Sequence, residues 1–133
     1  GYIFNDTIAK NIAVGENYVD QDKLNHAIHV ANISDYIDAL PLGYNTKIGT
    51  EGSGLSTGQK QRLLIARSVY KNPKYLFFDE ATSALDSKTE NEIMDTMNNI
   101  KNDNTLILIS HNRSLLENCD KIYEITKDGF KQL

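Results

Sequence analysis

The run Tyr75-Leu76-Phe77-Phe78-Asp79-Glu80 constrains the fold of this chain more than any other stretch. Four apolar residues lead directly into two adjacent carboxylates, and such a short apolar run predicts a buried strand of a parallel sheet. Ligands of open α/β sheets bind at the carboxyl ends of the strands. One acid there could hold a divalent cation through water, and its neighbour, pointing the other way in an extended backbone, could orient a nucleophilic water. Two acids that only cap the strand before a turn are the alternative interpretation.

A second buried strand is predicted at Thr105-Leu106-Ile107-Leu108-Ile109-Ser110, which leads into His111. Between the two strands, apolar residues at helical spacing predict a helix over about residues 87–100. A strand, a helix and a strand in succession are typical of a βαβ unit with parallel strands. We therefore expect Asp79, Glu80 and His111 to meet at one edge of one sheet.

The chain is rich in glycine just before a predicted helix that begins near Ser56 and ends at about Lys71. Ser56 and Gln59 have the spacing of a capping box, which satisfies backbone groups at the start of a helix. A helix N-terminus also attracts phosphate through its free N–H groups and its dipole. Gly58 has no side chain to block such an approach. Capping and phosphate binding are compatible interpretations of the same residues.

The first part of the chain is predicted to be mostly helical. Apolar residues recur at helical spacing within residues 5–13, 21–32 and 34–40. Asn5 or Asp6 is expected to cap the first of these helices.

The end of the chain predicts a β-hairpin. Residues 121–126 and 130–133 have the composition of short strands, and Lys127-Asp128-Gly129 between them predicts a turn. Further connections are predicted at the small-residue loop 81–86 and at the turn Asn102-Asp103-Asn104.

Length and composition are those of one ordinary globular domain. The chain has 133 residues, of which 40% are hydrophobic and 24% charged. Its net charge of -4 gives no support for a nucleic-acid or lipid-surface partner. The single cysteine, Cys119, cannot form an internal disulfide, and no apolar run approaches the roughly 20 residues that span a bilayer. The start at Gly1 instead of methionine predicts that the chain is a fragment of a longer protein.

Four of these motifs, in their order and spacing, resemble the nucleotide-binding domain of ABC transporters. Leu55-Ser56-Thr57-Gly58-Gln59 is similar to the signature motif, with threonine in place of the usual first glycine. Tyr75–Asp79 resembles the Walker B strand, with Glu80 in the place of the catalytic glutamate. Ser83-Ala84-Leu85-Asp86 resembles the D-loop, and His111 resembles the switch histidine.

The resemblance covers the whole chain and is closest to exporters. Phe4-Asn5-Asp6-Thr7-Ile8 is similar to the stretch just past the Q-loop of exporter-type domains, and Gly43-Tyr44-Asn45-Thr46 to exporters of peptides, bacteriocins or toxins. It implies an α/β fold: part of a P-loop NTPase (RecA-like) parallel sheet in residues 74–133, preceded by a mostly helical subdomain with the signature motif in residues 1–73. The sequence contains no G-x-x-x-x-G-K-[ST] motif. By resemblance the P-loop would lie before Gly1.

The resemblance also implies a mechanism for the intact protein, in which two such domains pair head to tail around two ATP molecules. Asp79 would hold Mg²⁺ through water, Glu80 would act as the base or orient the water, and His111 would contact the γ-phosphate. The residues implied to bind the ATP held by the opposite domain, or to shape that interface, are Ser56, Thr57, Gly58, Gln59 and Asp86.

The partners implied are a second nucleotide-binding domain and the transmembrane domain of an exporter, with no nucleic acid. The domain would then lie at the cytoplasmic face of the cell membrane and touch the membrane only through that transmembrane domain. ATP hydrolysis would drive export of a substrate, for which a peptide or a protein is the candidate. A soluble ABC ATPase outside transport and a non-enzymatic module that binds a partner through its helical half remain as alternatives.

Overall fold

The computed structural model describes residues 1–80, 85–101 and 104–133. A mostly helical first part precedes a strand–helix–strand unit and a final hairpin, which confirms the predicted α/β class. The helices are α1 (Ile8–Ile12), α2 (Gln21–Val30), α3 (Ser34–Asp38), α4 (Thr57–Lys71), α5 (Ser87–Ile100) and α6 (Arg113–Leu116). The strands are β1 (Asp6–Thr7), β2 (Lys47–Ile48), β3 (Tyr75–Asp79), β4 (Thr105–Ile109), β5 (Tyr123–Thr126) and β6 (Gly129–Gln132). The predicted loop residues 81–84 and turn residues 102–103 lie outside the described residues.

Helix α1 is capped by Thr7, whose Oγ1 accepts the backbone N–H of Lys10 at 3.1 Å. The prediction of Asn5 or Asp6 as the cap is therefore wrong. Asp6 and Thr7 both pair in the antiparallel β1–β2 ladder, and Thr7 directly precedes Ile8, the first residue of the helix. The ladder was not predicted because two-residue strands carry no periodic signal.

Helices α2 and α3 are shorter than their sequence patterns predicted. Asp20 caps α2 by accepting a backbone N–H of its first turn. The helix ends at Val30 because Asn32 takes the left-handed conformation, with φ +53°. Helix α3 ends at Asp38 and not at Leu40.

Helix α4 is the centre of the hydrophobic core. It packs against both α1 and α2, and its buried side chains are Leu63, Ile65, Ala66 and Tyr70. The buried residues around it include Ile8, Ile12, Leu24, Ala27 and Ile37. The hydroxyl of Tyr70 accepts the backbone N–H of Asp20 at 3.0 Å, so this ring is buried with its polar end satisfied. The core continues without a break from α4 to β3 and α5, and the division into residues 1–73 and 74–133 stays a prediction.

Strands β3 and β4 pair in parallel, as the βαβ pattern predicted, with Tyr75 opposite Thr105 and Asp79 opposite Ile109. The prediction of a buried strand holds for only one face of β3. Leu76 and Phe78 lie in the core, but the alternate residues project into solvent. The exposed apolar side chains of this sheet face are Tyr75, Phe77, Ile107 and Ile109.

The predicted hairpin is formed by the antiparallel strands β5 and β6, in which Ile125 pairs with Phe130. Gly129 follows the turn with φ +118°, a conformation that favours glycine. Both strands are exposed along their whole length. Among the helices of the described residues, none has the length and apolar character needed to cross a membrane.

We expect the 133-residue chain to self-associate as its concentration rises, because the exposed β3–β4 face leaves apolar side chains in water. Light scattering over a concentration series measures this association. Phe77→Ser should reduce it at little cost in stability, since Phe77 is 68% exposed. Tyr18→Ser, at an 89% exposed position outside the sheet, is the control and should leave it unchanged. A monomer at every concentration would contradict this prediction.

Candidate functional site

Glu80 and His111 meet where β3 and β4 end. The backbone N–H of Glu80 donates to the carbonyl of Ile109 at 3.0 Å, which extends the ladder by one bond. The carboxylate Oε1 of Glu80 accepts the backbone N–H of His111 at 3.2 Å and lies 3.6 Å from the imidazole Nε2. The imidazole is 99% exposed, so it is free to contact a ligand that approaches this edge. The predicted meeting of the two residues at one sheet edge is thus present in the structure.

Glu80 does not continue the extended backbone of β3. Its φ is +48°, in the left-handed region that non-glycine residues seldom adopt. The sequence interpretation, in which two adjacent acids point in opposite directions because the strand continues through both, is therefore wrong at this residue. The change of direction at Glu80 occurs where its carboxylate accepts the backbone N–H of His111, two residues past the end of β4.

Asp79 is the last residue of β3, opposite Ile109. It is exposed on the same side of the strand as Tyr75 and Phe77, because strand residues alternate between faces. An exposed carboxylate suits Mg²⁺, which binds proteins through one or two carboxylate oxygens and keeps several waters. Within the described ranges, no three His, Cys, Asp or Glu residues converge as a metal cluster. Asp79 can thus supply one ligand for Mg²⁺.

The N-terminus of α4 has the predicted capping box. The Oγ of Ser56 accepts the backbone N–H of Gln59 at 3.2 Å, and the Oε1 of Gln59 accepts the backbone N–H of Ser56 at 2.9 Å. The hydroxyl of Ser56 is an acceptor in this bond, so its own hydrogen can be donated elsewhere. Thr57 is exposed and Gly58 is half-buried in the first turn, whose positive dipole end favours an anion.

The structure shows why glycine occupies position 58, which the sequence did not reveal. A Cβ at this position would lie 2.6 Å from the Cγ2 of Thr89 on α5, closer than real side-chain contacts allow. Glycine is therefore needed for the approach of α5, whether or not a phosphate also approaches. One turn further along α4, Arg62 forms an ion pair with Glu92 of α5. These contacts hold the N-termini of α4 and α5 side by side.

Asp86 caps α5 at this junction. Its carboxylate accepts the hydroxyl of Thr89 at 2.7 Å and the backbone N–H of Thr89 at 3.2 Å. Both bonds favour the ionised form and lower the pKa of the Asp86 carboxyl, the side-chain bond most. Of the predicted D-loop, Leu85 and Asp86 fall within the described residues.

A further link connects the sheet edge to this helix junction. The side-chain amide of Asn112, next to His111, donates to the Oε1 of Glu90 at 3.1 Å, and Glu90 follows Thr89 in the first turn of α5. Sequence reasoning missed Asn112, Glu90 and Thr89, because their roles depend on which helix packs beside which strand. The predicted site residues therefore form two groups, at the sheet edge and at the helix N-termini, and α5 contacts both.

The chain is similar to known ABC transporters. The family model described as "ABC transporter" matches residues 1–83. The ATP-dependent lipid A-core flippase of Saccharophagus degradans is 48% identical over 90% of this chain and 20% of that protein. The leukotoxin translocation ATP-binding protein LktB of Mannheimia glucosida is 44% identical over 94% of this chain and 18% of that protein.

A solved structure agrees with these relatives. The structure of a bacterial Atm1-family ABC exporter with ATP bound has a TM-score of 0.81 and 44% identity, over 92% of this chain and 22% of that chain. This likeness confirms the expected partial P-loop NTPase fold. The chain spans about a fifth of the length of these relatives.

We expect acid to weaken the α5 N-terminus through Asp86. Because its pKa is lower in the folded than in the unfolded chain, the stability it contributes is present above the unfolded pKa and is lost as the pH falls through the folded pKa. Urea unfolding at a series of pH values measures this. Asp86→Asn keeps a good cap without the titration, so its free energy of unfolding should fall less steeply in acid.

Asp38→Asn is the control, since it removes the same charge at an exposed position outside the junction. It should keep the wild-type pH dependence. An acid dependence in Asp86→Asn as steep as in the wild type would show that the Asp86 carboxylate is not a source of the acid sensitivity.

Proposed function

We propose that this chain, which belongs to the ABC transporter family, forms part of the ATP-binding and ATP-hydrolysing domain of an ABC exporter. The observation that carries the proposal is the contact of Glu80 with His111 at the ends of two parallel strands. That edge is where α/β sheets bind ligands. The relatives named as a flippase, a translocation protein and an exporter support a role in transport and disfavour a soluble ATPase.

Glu80 is the proposed catalytic base or water-orienting group. Its carboxylate is about one-third exposed, so a water can reach it, and the bond from the His111 backbone fixes one oxygen. We propose that the imidazole of His111, which lies beside that oxygen, contacts the γ-phosphate of a nucleotide at this edge. Catalysis would then consist of positioning and charge stabilisation around the γ-phosphoryl group.

Asp79 is the proposed ligand of Mg²⁺, held through water. It precedes the proposed base by one residue, so the metal ligand and the water-orienting group would come from the same strand end. When bound, Mg²⁺ would neutralise charge on the phosphate oxygens of ATP. The exposed carboxylate of Asp79 needs no rearrangement of the core to bind it.

The first turn of α4 is the proposed contact with the ATP bound by a second, paired domain. The hydroxyl hydrogen of Ser56, the backbone of Gly58 and the hydroxyl of Thr57 lie at a positive helix end. Gln59 fixes the orientation of Ser56 through the capping box. Asp86 lies at the neighbouring helix N-terminus, and we propose that it shapes the same interface.

The proposed setting is the cytoplasmic face of a membrane, where this domain would contact the transmembrane domain of the exporter. The relatives are named for different cargoes, from lipid A-core to leukotoxin. We propose a peptide or protein as the substrate, which the leukotoxin translocation protein among the relatives supports.

We expect the 133-residue chain by itself not to hydrolyse ATP. It contains no G-x-x-x-x-G-K-[ST] sequence, whose backbone N–H groups and lysine supply much of the affinity for phosphate. A steady-state phosphate-release assay measures turnover. Mg²⁺-dependent release that disappears in Glu80→Gln would contradict this expectation.

In the full-length protein, Glu80→Gln should bind ATP but lower the rate of hydrolysis by about 10²–10⁴-fold, the usual contribution of a general base. The uncleaved ATP should then keep two domains paired, which size-exclusion chromatography with ATP can detect. Asp79→Asn is the comparison, and it should weaken Mg²⁺-dependent ATP binding as well as turnover. A Glu80→Gln protein that turns over at the wild-type rate and does not pair would remove Glu80 from the proposed role.

A further inference from the structure

We propose that Arg67 is a positioning residue that fixes residues 1–7, here called the 1–7 segment, to helix α4, so that this segment and the signature residues at the start of α4 move as one body. The inference rests on the proposed function, because the movement in question is the one that ATP would cause at Ser56 and Gly58. Arg67 itself lies in the last part of α4, away from those residues.

The guanidinium of Arg67 joins two other parts of the chain to α4. Its Nε donates to the carbonyl of Asn11 at 2.7 Å, and its Nη1 donates to the carbonyl of Tyr2 at 2.7 Å. The centre of the guanidinium lies 5.6 Å from the centroid of the Phe4 ring. The guanidinium is partly removed from water at these contacts, and this burial lowers the pKa of Arg67.

Asn11 holds the same segment from the other side. Its side chain is fully buried, and its Oδ1 accepts the backbone N–H of Phe4 at 2.8 Å. Its Nδ2 donates to the carbonyls of Phe4 and Thr7, each at 3.0 Å. The Nη2 of Arg67 lies 3.4 Å from that Oδ1, so the arginine and the asparagine form one network around the 1–7 segment. Buried polar groups satisfied in this way fix a backbone strongly.

The 1–7 segment also contacts the stretch that leads into the signature residues. The carbonyl of Ile3 accepts the backbone N–H of Glu51 at 3.0 Å. A Cβ on Gly52 would lie 2.9 Å from the Cδ1 of Ile3, so the two chains are in close contact there. A Cβ on Gly1 would lie 2.9 Å from the Cδ2 of Leu64 on α4. The segment therefore runs from the loop just before Leu55 to the third turn of α4.

Arginine is required because of the geometry of its donors. The contacts to Asn11 and Tyr2 use different nitrogens of one planar group. Lysine carries the same charge but has a single nitrogen and cannot form both bonds in a fixed fork. Arg67→Lys should therefore release the 1–7 segment while keeping the charge and the helix.

The test is hydrogen–deuterium exchange of the full-length protein in the Glu80→Gln background, with and without Mg²⁺ and ATP. With Arg67 present, ATP should slow exchange in residues 55–63 and also in residues 1–8, by about tenfold, which corresponds to about 1.4 kcal/mol of local stability. In Arg67→Lys, ATP should still slow residues 55–63 but no longer slow residues 1–8. The control is Lys71→Gln, at another position of α4, which removes the exposed ion pair between Lys71 and Glu16. In this variant ATP should still slow exchange in residues 55–63 and in residues 1–8.

The outcomes separate this inference from the proposed function. An equal response of residues 1–8 in Arg67→Lys, or no response of these residues with Arg67 present, would overturn the role of Arg67 while the signature residues still respond to ATP. No response of residues 55–63 in any variant would overturn the proposed function, and the inference with it.

A second variant keeps the test decisive if Arg67→Lys does not fold. Asn11→Asp retains the acceptor for the N–H of Phe4 and replaces the donor that binds the carbonyls of Phe4 and Thr7. It should likewise lose the response of residues 1–8 alone. Persistence of that response in Asn11→Asp would count against the network.

Discussion

The burial of one face of α4 is the interaction on which the rest of this structure depends. Leu63, Ala66 and Tyr70 fill the space between α1, α2 and the strand–helix–strand unit. Truncating a buried leucine of this kind usually costs about 2–5 kcal/mol, whereas exposed ion pairs such as Lys71 with Glu16 contribute little. Packing therefore fixes the position of α4 and, with it, the positions of both ends of the helix.

The two ends of α4 lead to the two parts of the proposed site. At its start, the capping box fixes Ser56, and Gly58 lies against α5 near the N-terminus of that helix. At its end, Asn72 adopts the left-handed conformation, with φ +46°, and Pro73 prevents the helix from continuing. The chain then enters β3, which ends at Asp79 and Glu80. One helix thus links the proposed contact for a partner's ATP to the proposed catalytic carboxylate.

Much of this arrangement could be predicted from the sequence, because the signals are local. The capping box needs only Ser56 and Gln59, and the order of two apolar runs around a helix predicts a parallel pair. The sequence could not show which face of β3 lies in solvent, since an apolar run does not show what covers each face of its strand. The left-handed backbone of Glu80 accompanies a bond to His111, which is 31 residues away in the sequence. The packing of Thr89 against Gly58 depends on where α5 lies.

The polar network around residues 1–7 also depends on contacts between parts of the chain that are distant in the sequence. Asn11 and Arg67 are far apart in the sequence, and sequence reasoning gave neither residue a role. Their importance follows only from the burial of Asn11 and from the carbonyl groups that both side chains reach. Buried polar residues with several backbone partners are therefore the features that the structure adds to the motifs.

The most direct test of the proposed site is a structure of the full-length Glu80→Gln protein with Mg²⁺ and ATP. We predict that residue 80 and His111 flank the γ-phosphate, that Asp79 reaches Mg²⁺ through water, and that Ser56 and Gly58 contact the ATP held by the paired domain. Nucleotide bound away from the ends of β3 and β4, or a γ-phosphate that contacts neither residue 80 nor His111, would contradict the assignment of this edge as the site of hydrolysis.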